Sequence, residues 1–265
     1  MSSYTAIILL IILFFCVRLF STVFSSRPRK LATKPLQPCS VAIFLGSGGH
    51  TGEALKLVSA LDFSRYTPRT YIISEGDVLS ARKALALEHL KATQDDHFIP
   101  PPYKLLTIPR ARRVHQSLLS TPPDAVKSLL ACIYLLSVRP LFKKGPFRHP
   151  FADLLILNGP GTCVFLCAAI LLNRATITCI ILICDANQLI GLPSPRVMYI
   201  ESFARVKSLS LSGKLLYHFA DRFVVQWPDL VQPWRSRRLS WMPCMIFTRN
   251  HNCYLIDRRT LFAFH

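Results

Sequence analysis

Residues 41–58 constrain this chain more than any other stretch. A short apolar run, Val41-Ala-Ile-Phe-Leu45, passes through Gly46-Ser-Gly-Gly-His-Thr-Gly52 into Glu53-Ala-Leu-Lys-Leu-Val58. Such a run, bounded by glycine, fits a parallel strand covered on both faces. Gly46, Gly48, Gly49 and Gly52 allow positive φ and close backbone approach. From residue 53 to 61 the pattern is helical, with Ala54, Leu57, Val58 and Leu61 on one face. A strand, glycine turn and helix in this order aim backbone N–H groups and a positive helix end at one point, which favours a phosphate.

The spacing narrows the ligand. A P-loop closes with Gly-Lys-Ser/Thr, and no lysine stands in this turn. Counted from Gly46, the last position of Gly-x-Gly-x-x-Gly is Thr51, and the glycine arrives one place late. His50 lies in the turn, and imidazole titrates near neutral pH. By residue type alone it is a base, a phosphate contact or a structural group.

Charge and hydropathy bear on the partner. The 265 residues are compatible with one α/β domain plus an anchor, and carry 32 Lys+Arg against 14 Asp+Glu, a formal charge of +18. That balance points to an anionic partner: nucleic acid, anionic lipid or a phosphorylated substrate. With 51% hydrophobic residues and neither zinc-finger spacing nor an RNP-like strand, a membrane surface is favoured over nucleic acid. Nine cysteines without a CxxC pair read as buried free thiols in a reducing compartment. No metal cluster and no cofactor site is evident.

Residues 1–24 read as a transmembrane anchor: 4–17 are uncharged, and the apolar run continues past Arg18 to Phe24. Arg27, Arg29, Lys30 and Lys34 follow in a Pro-containing linker, 25–39, which places the carboxyl side in the cytosol. The basic start and clear cleavage site of a signal peptide are lacking. Beyond the glycine turn, strands are expected at 69–73, 104–108, 153–157, 196–200 and 222–225, with helices at 80–90, 126–142, 163–172 and 211–219. The strand at 104–108 ends in the basic cluster Pro109-Arg-Ala-Arg-Arg-Val114. The apolar helix 126–142, closed by Lys143 and Lys144, suits a bilayer surface as well as a core. A second glycine turn, Asn158-Gly-Pro-Gly-Thr162, separates a strand from a helix. Two such units predict a doubly wound parallel sheet over residues 40–230, with its crevice at the carboxyl ends of the strands.

Leu45-Gly-Ser-Gly-Gly-His-Thr51, Asn158-Gly-Pro-Gly-Thr162, residues 199–213 from Tyr-Ile-Glu-Ser-Phe-Ala-Arg to Leu-Ser-Gly, and Asp221-Arg-Phe-Val-Val-Gln-Trp-Pro228 carry a specific resemblance. Together they resemble the family of membrane-anchoring subunits of the eukaryotic UDP-GlcNAc transferase of N-glycan assembly. The resemblance implies a Rossmann-like domain, the amino-terminal half of a GT-B glycosyltransferase, with one N-terminal transmembrane helix. It implies an acceptor, dolichyl-diphosphate-GlcNAc, to which a second GlcNAc is added in β1→4 linkage. UDP-GlcNAc would be held by a separate soluble catalytic subunit, at the cytosolic face of the endoplasmic reticulum or nuclear envelope. It further implies that Gly46, Ser47, Gly48, Gly49 and Thr51 of the first turn contact the acceptor diphosphate. Asn158, Gly159, Gly161, Thr162, Glu201 and Ser202 would join them at the acceptor; by residue type alone Glu201 could bind a hydroxyl or a partner, or equally cap the turn that follows it. His50 matches the histidine of the related bacterial glycine loop and is the candidate base. Neither a metal nor a cofactor is implied.

Two segments depart from the family pattern. Residues 173–188 intervene after the helix, and the apolar run 176–184 reads as an extra strand, a membrane-contacting insert or translated intron sequence. Residues 231–265 lack the tyrosine- and glycine-containing strand that the family uses to hold its partner. Two other readings stay open: a non-catalytic membrane adaptor, and a stand-alone nucleotide-dependent enzyme with Glu75 on a ribose. The orientation is testable directly. Residues 1–24 fused to a reporter should anchor it with its carboxyl side cytosolic, so an acceptor site placed after Lys34 should stay unglycosylated. Glycosylation there would refute the orientation.

Overall fold

The computed structural model describes residues 38–94, 103–112, 116, 121–142, 151–159, 161–184, 194–230 and 254–256, with Leu13, Phe14 and Val17 near the amino end. The rest of the expected anchor, the linker up to residue 37 and most of the 231–265 tail lie outside the described residues. Among the described residues, no helix is long and apolar enough to cross a membrane.

Six parallel strands form the sheet: β1 (Val41–Leu45), β2 (Arg69–Ser74), β3 (Tyr103–Ile108), β4 (Leu154–Asn158), β5 (Arg196–Ile200) and β6 (Arg222–Val225). A short β7 (Tyr254–Ile256) adds antiparallel to β6, giving the order β3-β2-β1-β4-β5-β6-β7. The first six follow the Rossmann order, so the fold is α/β and Rossmann-like.

Both faces of the sheet are covered, which is why its strands read as unbroken apolar runs. Val41, Ile43 and Leu45 join Tyr71, Ile156, Ile200 and Val224 in one core. That core is closed by α1 (Gly49–Ser59), through Ala54, Leu55 and Val58, and by α2 (Val78–Gln94), through Ala84. Ala42 and Phe44 join Leu155, Leu157, Val197, Tyr199 and Phe223 in the other. Against it lie α3 (Thr121–Ile133), α4 (Thr162–Cys184) and α5 (Leu211–Leu216). No β1 residue exceeds 1% exposure, and each large side chain buried this way is worth about 1.5–3 kcal/mol.

The helix expected at 126–142 starts earlier, as α3, and continues beyond Ile133 as a π-helical stretch, Tyr134–Val138, and a 3-10 stretch, Arg139–Phe142. Helix α4 and strand β7 also differ from expectation. Helix α4 runs on from residue 172 to Cys184, through part of the 173–188 segment. Asn173-Arg174 does not end it, because Arg174 is a latch rather than a solvated breaker. Its Nη2 donates to Asp221 Oδ2 at 2.6 Å and to the Pro195 carbonyl at 2.8 Å. The same Asp221 oxygen accepts the Val197 N–H, tying α4 to the starts of β5 and β6. Strand β7 lies in a tail where no strand was expected.

A buried ion pair fixes the outer half of the sheet. Arg69 is fully buried, and its Nε and Nη2 meet the two Glu88 oxygens at 2.8 and 2.7 Å. Tyr71 donates to Glu88 at 2.6 Å, and Arg69 Nη1 donates to the carbonyls of Phe63 and Tyr66. Burial, then the Glu88 carboxylate, push the Tyr71 phenol well up, so it stays a donor at every working pH. Glu88→Ala strands a buried guanidinium and should cost about 3–5 kcal/mol. The check is a fall in the urea midpoint at unchanged m-value. A loss under about 1 kcal/mol would mean that water reaches Arg69 once the carboxylate is gone.

Candidate functional site

The strand order reverses between β1 and β4, and there the two glycine turns meet. Leu45 pairs with Asn158, so the turns leave the sheet at the same height on adjacent strands. Helix α1 then packs on one face and α4 on the other. Such a point is where open α/β sheets take their ligands. Ser47, Gly48 and Gly49 are exposed at the start of α1, and no side chain caps that helix. Gly161 is exposed just before α4. Two helix N-termini therefore begin side by side at the switch point, an arrangement suited to a diphosphate.

Within the two turns, glycine is required at Gly48 and Gly159. Gly48 has φ 68° and ψ −126°, a conformation closed to other residues. Gly159 has φ 127°, and a Cβ there would lie 3.3 Å from His50 Cβ and Cγ and 3.5 Å from Gly46 Cα. The second turn thus packs directly on the first.

His50 is one-third exposed and belongs to the first turn of α1. Its Nδ1 lies 3.2 Å from Asn158 Oδ1. Asn158, fully buried, donates from Nδ2 to Glu53 Oε2 at 3.2 Å. Ser202 Oγ donates to the other Glu53 oxygen at 2.9 Å, bringing in the loop after β5. Glu53 was missed from the sequence, where the helix was taken to begin at residue 53. With α1 starting at Gly49, His50 and Glu53 are three apart and share a face, Nδ1 and Oε2 being 3.9 Å apart. An i, i+3 pair behind a glycine turn was the available signal.

Thr51 and Glu201, expected at the ligand, are turned inward. Thr51 is 1% exposed; its hydroxyl donates to the Gly46 carbonyl and meets Ser80 Oγ at 2.6 Å. Ser80 in turn donates to Asp77, so Thr51 joins α1 to the start of α2. Glu201 is also 1% exposed. It accepts from the Ser202 N–H on Oε1 and from both the Ser210 N–H and hydroxyl on Oε2, each at 3.1 Å. A Cβ at Gly213 would overlap its carboxylate. Glu201 therefore braces the loop before α5 instead of facing the crevice. Gly46 and Thr162 are buried in the turns, and Gly46 contributes its backbone to their packing. Glu75 is exposed at the end of β2, where its carbonyl accepts from Arg110 Nε.

Cys39, Cys132, Cys163 and Cys167 are free thiols. Burial pushes the Cys132 and Cys167 thiols up to about 12 and Cys163 well above its ordinary range, so these three are core residues, not nucleophiles. Among the described residues, no three His, Cys, Asp or Glu side chains come together as a metal site.

A family model described as "Oligosaccharide biosynthesis protein Alg14 like" matches residues 41–244. The chain belongs to this family. It is similar to the UDP-N-acetylglucosamine transferase subunit ALG14 of Cryptococcus neoformans, with 45% identity over 207 residues, covering 77% of this chain and 82% of the relative. The Schizosaccharomyces pombe protein of that name is 40% identical over 204 residues, covering 76% and 81%. That of Homo sapiens is 35% identical over 203 residues, covering 76% and 82%. No solved structure matches. The match to the Alg14 family spans both glycine turns and the loop that carries Ser202.

The positive-φ glycines of the two turns, Gly48 and Gly159, separate strain from displacement. Gly48→Ala and Gly159→Ala should each lose about 1–3 kcal/mol of stability. At Gly48 a Cβ meets nothing within 4 Å, so the His50 ring signals in NMR spectra should stay in place. Gly159→Ala should shift them. Shifts of equal size in both variants would contradict the packing of the second turn on His50.

Proposed function

We propose that this chain is the membrane-anchoring, acceptor-binding subunit of UDP-GlcNAc:dolichyl-diphosphate-GlcNAc N-acetylglucosaminyltransferase. In this reading it recruits a soluble catalytic subunit to the cytosolic face of the endoplasmic reticulum, and the complex adds the second GlcNAc of the lipid-linked oligosaccharide. The observation that carries the reading is the crevice at the β1–β4 switch point, built by two glycine turns in a chain whose relatives are named transferase subunits. The backbone N–H groups of Gly48 and Gly49 and the start of α4 would hold the acceptor diphosphate.

The chemistry is an inverting displacement. The acceptor's 4-hydroxyl oxygen attacks C1 of the GlcNAc of UDP-GlcNAc, forming the β1→4 bond as the bond from C1 to the UDP oxygen breaks. His50 accepts the hydroxyl proton as general base. The described sheet is one Rossmann-like unit, the acceptor half of a GT-B enzyme in this reading; the donor half belongs to the partner. Membrane attachment is supported by the apolar run at 4–24 and its basic flank. It is supported also by Val126, Leu130 and Tyr134, an exposed apolar stripe at four-residue spacing along α3 and the turn after it.

The test compares purified chain with the chain co-expressed with its soluble partner. Alone it should bind lipid-linked acceptor and transfer no sugar; turnover by the isolated chain would overturn the split-enzyme reading. In the complex, His50→Ala should stay folded and membrane-bound, keep acceptor affinity and lose roughly 10²–10⁴-fold in turnover. A rise in acceptor KM with turnover kept would make His50 a diphosphate contact instead.

A further inference from the structure

We infer that Glu53 and Asn158 are positioning residues that hold His50 as its Nδ1–H tautomer, leaving the Nε2 lone pair for the acceptor. The inference rests on the reading of His50 as the base. It follows from donor and acceptor capacities. An ionised carboxylate only accepts, so the Asn158 amide must turn its Nδ2 to Glu53 Oε2, at 3.2 Å. That places Oδ1, which also only accepts, 3.2 Å from His50 Nδ1. The ring must then carry its proton on Nδ1.

Each member is itself held. Asn158 is the last residue of β4, fully buried and paired in register with Leu45 of β1. Glu53 receives a second hydrogen bond from Ser202 Oγ, and that oxygen accepts the Ala204 N–H at 3.3 Å. Helix α1, strand β4 and the loop after β5 thus converge on one imidazole. The Glu53 carboxylate, 3.9 Å from Nδ1, also faces the positive charge the ring acquires when Nε2 takes a proton.

Glu53→Gln tests the claim with little change of shape. Glutamine offers both a donor and an acceptor, so the Asn158 amide is no longer forced one way. Inverted, it would present Nδ2 to His50 and favour the Nε2–H ring, which has no lone pair where the acceptor needs it. Ring nitrogen spectra of histidine-labelled full chain in micelles, with His50→Ala assigning the signal, should show the Nδ1–H form in the wild type. The Nε2–H form should emerge in Glu53→Gln. In the complex with its partner, Glu53→Gln should lose about 10–100-fold in kcat, less than the full cost of a wrong tautomer, at nearly unchanged acceptor KM and unfolding midpoint. Asn158→Ala should show the same loss of tautomer control. An Nε2–H ring in the wild type would overturn the inference, and so would an Nδ1–H ring with normal kcat in both variants. If instead His50→Ala leaves turnover intact, the base assignment fails, while the spectra, which need no turnover, still decide whether Glu53 and Asn158 set the tautomer.

Discussion

Parallel pairing of β1 with β4, which sets Leu45 opposite Asn158, is the constraint on which the site depends. Because these strands share a register, the two glycine turns leave the sheet side by side, and the helices that follow are sent to opposite faces. A slip of two residues would move one turn about 7 Å from the other, enough to separate Asn158 from His50. The pairing resists slipping because β1 is buried on both faces. Val41, Ile43 and Leu45 sit in one core and Ala42 and Phe44 in the other. The position of the imidazole is thus underwritten by apolar burial well beneath it.

The strands were legible for the same reason. A strand covered on both faces has no polar alternation, so 41–45, 153–157 and 222–225 read as apolar runs and appear as Val41–Leu45, Leu154–Asn158 and Arg222–Val225. The start of α1 was less legible. Glycine is common in turns, so Gly49 and Gly52 were read as turn although the helix already includes them. That shift hid Glu53, because His50 and Glu53 become neighbours only when both are helical. Asn158 was read as a diphosphate contact; its bonds to His50 and Glu53 span 108 and 105 residues, and depend on the β1–β4 pairing.

Thr51 shows the opposite failure, as does the ligand reading of Glu201; its capping alternative is the one observed. Both stand next to the expected crevice, and both have side chains that suit a ligand. Each instead satisfies backbone and hydroxyl groups buried by tertiary packing: the Gly46 carbonyl and Ser80 for Thr51, and the Ser210 N–H and hydroxyl for Glu201. Leaving such groups without partners costs about 1–3 kcal/mol apiece. A polar side chain beside a tight turn is therefore as readily spent on the fold as on the ligand, and local spacing does not distinguish the two. Arg174 illustrates the same point at the other end of the sheet, where a charge in an apolar run is held by Asp221 rather than by solvent.

The carboxylate of Glu53 runs against the charge of a chain at +18 whose crevice suits an anion. At about 4 Å and an effective dielectric constant near 20, two unit charges interact by about 4 kcal/mol. A bare carboxylate at that range would oppose a diphosphate by more than the ~0.3–2 kcal/mol that a helix N-terminus contributes. Glu53 is not bare. Its two oxygens accept from Asn158 Nδ2 and Ser202 Oγ, and it lies on the Nδ1 side of the imidazole. Those donors spread its charge into groups belonging to the sheet and the loop after β5. In the proposed mechanism the repulsion that remains is relieved in the step where relief raises the rate, when the ring takes up a proton and becomes a cation between the carboxylate and the substrate. A neutral residue at position 53 would bind the resting acceptor at least as well but would leave that cation uncompensated. In that mechanism an acid at position 53 serves the proton transfer rather than ground-state binding.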